Sequence, residues 1–281
     1  MIQDLPGSIC SRKIGCRKAG GIPHCREPGR LYGAAFLSAA FLLWTASAQE
    51  PVHAVLLYHQ PSMSTARGST LSYGEVTRAA PGKREIALTF DASGSADGLS
   101  QLLTVLRDAS VRCTFFLTGE WVQRYPKGAK QILAGGHEIG DHTWSHPDLT
   151  RLSDQEISSE IQRADAAIQV AFGHRARPLF RAPFGARNER VLKVAHAMGY
   201  RSIYWSIDSL DAIRPAISSV SIVSNILKQP DETLDGAIVR FNVGNPPTAH
   251  AMDEILRGLK ARHLEPVPVS TLFPAPGKTG Y

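Results

Sequence analysis

The run His142-Thr143-Trp144-Ser145-His146 holds the residues best suited to chemistry. Two imidazoles spaced i, i+4 fall on one face of a helical turn, close enough to grip one metal ion. A divalent ion lowers the pKa of bound water from about 15.7 to about 7, which makes a hydrolytic nucleophile available at neutral pH. Taken alone the pair has a second reading, as polar surface or satisfied core groups. The surrounding residues favour the first. Asp91 closes the apolar run Ile86-Ala87-Leu88-Thr89-Phe90, Arg181 follows Leu179-Phe180, and Asp208 and Asp211 close the stretch that begins Tyr204-Trp205. Each places a charge at the C-terminal end of a short buried-strand pattern, where (β/α) barrels build their active sites.

The elements that must position these groups alternate. Strands are expected at Glu85 to Phe90, Arg112 to Leu117, His137 to Asp141, Leu179 to Arg181, Arg201 to Ile207, Ala237 to Phe241 and Pro266 to Val269. Helices are expected between them at Leu99 to Ala109, Trp121 to Ala134, from Ser153 through Phe172, Asn188 to Met198, Val220 to Leu227 and Met252 to Arg262. Ser153 with Glu156 forms a capping box, and Gly199 ends the helix before it. Alternation of this kind implies a parallel sheet with helices outside it, and seven strands suit a barrel better than an open sheet. Earlier in the chain, Val52 to Tyr58 reads as one further strand and Pro61 to Tyr73 as loop. Gly94 and Gly98 lack the remaining glycines and partner acid of a nucleotide loop.

The first 48 residues read differently. Six basic residues precede Leu31 to Trp44, which carries no charge, and Ala46-Ser47-Ala48 follows. This order predicts a secretory signal peptide over 1–48, with an uncleaved anchor as the alternative, although the apolar stretch is short for a membrane span. The expected location is secreted, periplasmic or cell-envelope, with no stable span after cleavage. Loss of the leader's six basic and two acidic residues lowers the formal net charge from +6 to +2. The basic character is therefore largely the leader's and gives no warrant for a nucleic-acid partner. Cys10, Cys16 and Cys25 also lie in the leader, so Cys113 remains without an internal disulfide partner and stability must come from the core.

The ordered motifs Thr89-Phe90-Asp91, His142-Thr143-x-Ser145-His146, Arg181-x-Pro183-Phe184-Gly185 and Trp205-x-x-Asp208 resemble the polysaccharide deacetylases of the NodB-homology type, carbohydrate esterase family 4. Thr114-Phe115-Phe116-Leu117-Thr118-Gly119 and Gly136-His137-Glu138-Ile139-Gly140-Asp141 agree with it. The resemblance implies a distorted (β/α)7 barrel over 84–273, flanked by an extension at 49–83 and a tail at 274–281. It implies removal of acetyl groups from N-acetylated, or O-acetylated, glycans such as peptidoglycan or a chitin-like polymer. Asp91 resembles the catalytic base, Arg181 the arginine that orients it, and Asp208 the acid that supports this polar cluster. His142 and His146 resemble the imidazole ligands of one divalent metal, zinc by donor type, with cobalt, nickel and manganese also acceptable to such donors. Pro183 and Phe184 fall where substrate would bind. Bland rivals stand beside these roles: Asp91 as a helix N-cap, Arg181 as a structural ion-pair residue, Asp208 and Asp211 as turn acids, His137 as a fold-stabilising hydrogen-bonder, and Trp144 as packing or a groove wall.

Three departures qualify the resemblance. The family's third metal ligand, an aspartate directly after the base, is here Ala92. A replacement is expected from Asp97, in the loop after it, or from Asp91 itself. The family's late Leu-x-His is here Arg240-Phe241-Asn242, which puts a charge where a methyl group should nest and an amide where the general acid should be. Asn242 can bind substrate by hydrogen bonding but cannot deliver a proton at neutral pH. These changes leave a slow or atypical deacetylase as the main expectation. A non-catalytic glycan-binding module on a degenerate barrel is the alternative, and a hydrolase of another amide or ester is a third reading.

Overall fold

The central strand, β1 (Glu85–Ala92), is buried along nearly its whole length and sets the interior of the molecule. The computed structural model describes residues 73–214 and 216–273; the expected leader, the strand at Val52 to Tyr58 and the 274–281 tail lie outside them. A parallel ladder runs in the order β5 (Arg201–Ser202), β4 (Leu179–Phe180), β3 (Glu138–Asp141), β2 (Thr114–Leu117), β1, β7 (Ile238–Asn242) and β6 (Ile207–Asp208). A short β8 (Glu265–Pro266) pairs with the start of β1. The sheet curls into a distorted α/β barrel, with the helices packed on its outer face.

Two-residue alternation divides the side chains of β1. Ile86, Leu88, Phe90 and Ala92 join the large outer core, together with Leu99, Leu102 and Leu106 of α1 (Leu99–Asp108) and Met252, Ile255 and Leu259 of α8 (Pro246–Ala261). Ala87 belongs to the inner cluster with Phe116, Ile203 and Ile238. Burial of one large apolar side chain is worth about 1.5–3 kcal/mol, so this double-sided packing dominates the stability. Register carries the alternation across to β7: Ala87 pairs with Ile238, Thr89 with Arg240 and Asp91 with Asn242. The barrel interior thus passes from an apolar floor to a polar mouth within four residues of each strand.

Most expected elements are present, and four differ. The helix expected over Trp121 to Ala134 is two, α2 (Gly119–Arg124) and α3 (Pro126–Ala134). Pro126 disfavours helical backbone at Tyr125, which adopts φ −123° and ψ 58° between them. The strand expected over Arg201 to Ile207 is β5 and β6, at opposite ends of the ladder. Between them Ile203 bridges in parallel to Val76, and Arg78 bridges to Ala237, so residues 76–78, within the expected extension, touch the chain just after β5 and just before β7. The last strand is only Glu265–Pro266, and Pro268 caps a short α9 (Val269–Leu272). The helix before it begins at Pro246 rather than Met252, because Pro at a first helical position is preorganised.

The remaining helices are α4 (Asp154–Phe172), α5 (Glu189–Ala197), α6 (Ser219–Leu227) and α7 (Asp231–Leu234). The Ser153–Glu156 capping box opens α4 as expected. No helix among the described residues is long and apolar enough to cross a membrane. Gly140 of β3 lets the Phe116 ring occupy the interior, since a Cβ there would lie 2.5 Å from the ring. Gly140→Ala is therefore expected to destabilise the protein by about 1–3 kcal/mol through overpacking, read as a lower denaturant midpoint with an unchanged slope. An unchanged midpoint would show that the Phe116 layer yields freely.

Candidate active site

Thr89, Asp91, Arg240 and Asn242 follow the inward parity of Ala87 and Ile238 on β1 and β7, and Arg181 enters from the end of β4. Arg181 is fully enclosed, with its guanidinium 4.1 Å above the Phe116 ring. Its Nη1 donates to Asp91 Oδ1 at 2.8 Å and to Thr89 Oγ1 at 2.8 Å. Its Nε donates to the Ile203 carbonyl at 3.0 Å and Nη2 to the Tyr204 carbonyl at 3.3 Å. The arginine is thus fixed from four directions. Burial opposes the charge on Asp91, but the Arg181 guanidinium, by charge and by hydrogen bond, together with Arg240 outweighs it and holds the carboxyl below the ordinary value. The N-cap reading of Asp91 has no support, since α1 is capped by Gly98 without a side-chain hydrogen bond.

The two histidines meet, although not as expected. Residues 142–146 form no helical turn: Thr143 and His146 have φ of 70° and 61°, outside right-handed helix. Carboxylates hold the loop instead. Asp141 Oδ1 accepts from Thr143 N at 2.8 Å, and Glu160 on α4 accepts from Trp144 N, Ser145 N and Ser145 Oγ. These partners satisfy the amides that a helix would have paired internally. The bend still brings the His142 and His146 rings edge to face, with centroids 4.9 Å apart.

His142 Nδ1 lies 2.7 Å from the Arg181 carbonyl, which only accepts. That nitrogen therefore carries the proton, and Nε2, 4.0 Å from Asp91 Oδ2, keeps its lone pair. Burial lowers the pKa of His142, and burial with the neighbouring His142 lowers that of His146 to about 3. Both rings are neutral at physiological pH, as metal ligands must be.

The rest of the cluster corrects several expectations. Asp97 is exposed, and no group of three or more His, Cys, Asp or Glu side chains among the described residues converges as a metal cage. Ala92 lies in the outer apolar core. For a divalent ion the site offers the two neutral imidazoles as donors, with the Asp91 carboxylate 4.0 Å from His142 Nε2. Asp208 faces Arg240 at 3.4 Å rather than Arg181, and accepts from Leu210 N. Asp211 is more than a turn acid: it accepts from Asn242 N, Asn242 Nδ2 and Thr248 Oγ1, which ties the end of β7 to α8. Asn242 is thus held by Asp211.

Phe184 is 61% exposed and sets its ring against His146 at 4.4 Å, whereas Pro183 is buried beneath it. His137 accepts from Cys113 N and is structural, and Trp144 packs under Arg163. Thr89 and Trp205 stand in the quoted motifs but received no role from the sequence, and Glu160 was missed. Thr89 was visible by parity, two residues before Asp91, whereas Glu160 carries no local signal.

A buried carboxylate clamped by arginine beside paired imidazoles, at the C-terminal mouth of a parallel α/β barrel, defines a hydrolase-type site. Residues 78–203 match the family model for polysaccharide deacetylase. The chitooligosaccharide deacetylase of Azorhizobium caulinodans is 31% identical over 191 residues, which cover 68% of this chain and 88% of the relative. Two solved structures extend the likeness. The Bc1960 peptidoglycan N-acetylglucosamine deacetylase superposes with a TM-score of 0.66 at 28% identity, covering 72% of this chain and 93% of that one. BA3943 of Bacillus anthracis, a pseudoenzyme of carbohydrate esterase family 4, superposes at 0.67 and 27% identity, covering 72% and 69%. A mutant of BA3943 with restored enzymatic activity superposes at 0.66. The chain belongs to the polysaccharide deacetylase family, hydrolases of carbon–nitrogen bonds other than peptide bonds.

The lowered histidine pKa values set the acid response. Between about 3 in the folded protein and 6.5 in the unfolded chain, His146 binds its proton more readily when unfolded. Its contribution to stability is present above 6.5 and is lost as pH falls toward 3, with a slope of up to about 1.4 kcal/mol per pH unit. His146→Gln should flatten this slope, measured as denaturant midpoints across the window; an equally steep fall in the variant would contradict it.

Proposed function

We propose that the chain removes acetyl groups from an N-acetylated, or O-acetylated, glycan, with Asp91 as the base. The carrying observation is the Arg181–Asp91 contact of 2.8 Å, which keeps the carboxylate ionised and aimed beside the imidazole pair. His142 and His146 would hold one divalent ion, zinc by donor type, with cobalt, nickel or manganese accepted by the same nitrogens. When bound, that ion supplies Lewis-acid polarisation of an acyl carbonyl.

The chain's own groups do the rest. Asp91 accepts the proton of the attacking water through its free oxygen, while Arg181 keeps the other occupied. Exposed Phe184 offers a face to a sugar ring. Asn242 has its amide nitrogen on Asp211 and no proton to deliver to a leaving nitrogen, so turnover is slow. The expected working location is the cell envelope or the exterior, supported by the basic, apolar and small-residue order of the first 48 residues.

A second reading, a glycan-binding module without turnover, is favoured by one observation: among the described residues no third metal ligand converges on the two histidines. Acetate release from chitin oligomers and peptidoglycan, measured with added divalent ions, separates the two. Asp91→Asn should abolish release. Asn242→His, placed beside Asp211, should raise it by about a hundredfold or more, the usual worth of a general acid. Glycan binding with no release from the wild type or from Asn242→His under any metal would establish the binding module.

A further inference from the structure

Among the described residues, Arg240 is the buried cation that the hydrolytic reading leaves unused. It is 6% exposed, its guanidinium lies 4.4 Å over the Trp205 ring, and β7 sets it beside Thr89. None of its nitrogens donates a hydrogen bond among the described residues, and Nε and Nη2 are shielded from solvent with no acceptor. Nη2 lies 3.4 Å from Asp208 Oδ2, an ion-pair contact without hydrogen-bond direction. The other carboxylates do not hydrogen-bond it: Asp91 Oδ1 accepts from Arg181, and Asp211 accepts from Asn242 and Thr248.

A buried guanidinium without hydrogen bonds is costly unless a partner arrives. Nε and Nη2 form one edge of the guanidinium fork, with two parallel N–H donors matched to the two oxygens of a carboxylate. We infer that Arg240 receives a carboxylate of the glycan ligand, which displaces Asp208 from its poorly directed contact, so that the site prefers N-acylated sugars bearing an acid group over neutral ones. This inference rests on the deacetylase reading only in taking the ligand to be a glycan. The carboxylate sits either on the sugar ring, as in a uronic acid, or on an ether substituent.

Calorimetric titration of the full chain with three probes tests it: a hyaluronan tetrasaccharide for the ring acid, an N-acetylglucosaminyl-N-acetylmuramic acid disaccharide for the ether acid, and neutral chitotetraose. At least one acidic probe should bind about tenfold or more tightly than the neutral one, consistent with a charge-assisted pair, and the stronger of the two identifies the source. Asp208→Ala should tighten the acidic probe further. Arg240→Leu should erase the preference by weakening the acidic probe about tenfold to a hundredfold, while thermal unfolding shows the variant folded. If Arg240→Leu does not fold, the wild-type preference and Asp208→Ala still decide. Equal affinity for acidic and neutral probes in the wild type, or weaker acidic binding in Asp208→Ala, overturns the inference. Acetate release followed in the same samples separates the two readings: release without preference removes only this inference, and preference without release removes only the deacetylase reading.

Discussion

A charged pair enclosed inside the barrel, Arg181 with Asp91, constrains everything around it. Both side chains are nearly or fully removed from water, so each charge must be met by the other and by directed hydrogen bonds. Removing one partner of such a pair costs about 3–5 kcal/mol, more than deleting one typical core methylene several times over, because the survivor is left buried and uncompensated. The surrounding strands are therefore not free to vary. Thr89, the Ile203 carbonyl and the Tyr204 carbonyl exist at those places to occupy the guanidinium, and Phe116 gives it a face to lie on. The crossing from β5 to β6, where the chain passes from one end of the sheet to the other, is what supplies those two carbonyls.

From that pair the rest of the site follows outward. The Arg181 backbone carbonyl fixes the tautomer of His142, so one residue holds the Asp91 carboxylate with its side chain and orients an imidazole with its main chain. A second cation, Arg240, lies across the interior with Asp208 as an imperfect partner. The cluster thus carries two guanidiniums and two carboxylates around two neutral rings. Ala92 adds no ligand to this cluster: its side chain belongs to the helix-facing core, with Leu99, Leu102 and their neighbours.

Much of this was legible in the sequence, and the limits have physical causes. The parallel α/β order was readable because apolar runs and amphipathic segments alternate, and the charges at strand ends marked the mouth. The histidine pair was found for a reason that did not hold. Spacing of four suggested a helix, whereas positive φ at Thr143 and His146, with Glu160 reaching in from α4, makes a bend that brings the rings together by another route. Local spacing cannot reveal a carboxylate that arrives from fifteen residues away. Asp97 was read as a ligand from nearness in sequence, but the loop turns it outward. The partner of Arg240 was equally hidden, because it depends on the register that sets Asp208 opposite Arg240 across β6 and β7.

The most direct test is the ionisation of the Asp91 carboxyl, followed by carbon-detected nuclear magnetic resonance with the Asp91→Asn variant as assignment control. The account predicts that Asp91 remains ionised below 3.8, the ordinary value for this side chain, and that it loses this depression when Arg181 is replaced by methionine. A carboxyl that titrates above 3.8 in the wild type would show that burial, not Arg181, governs Asp91, and would contradict its role as the base.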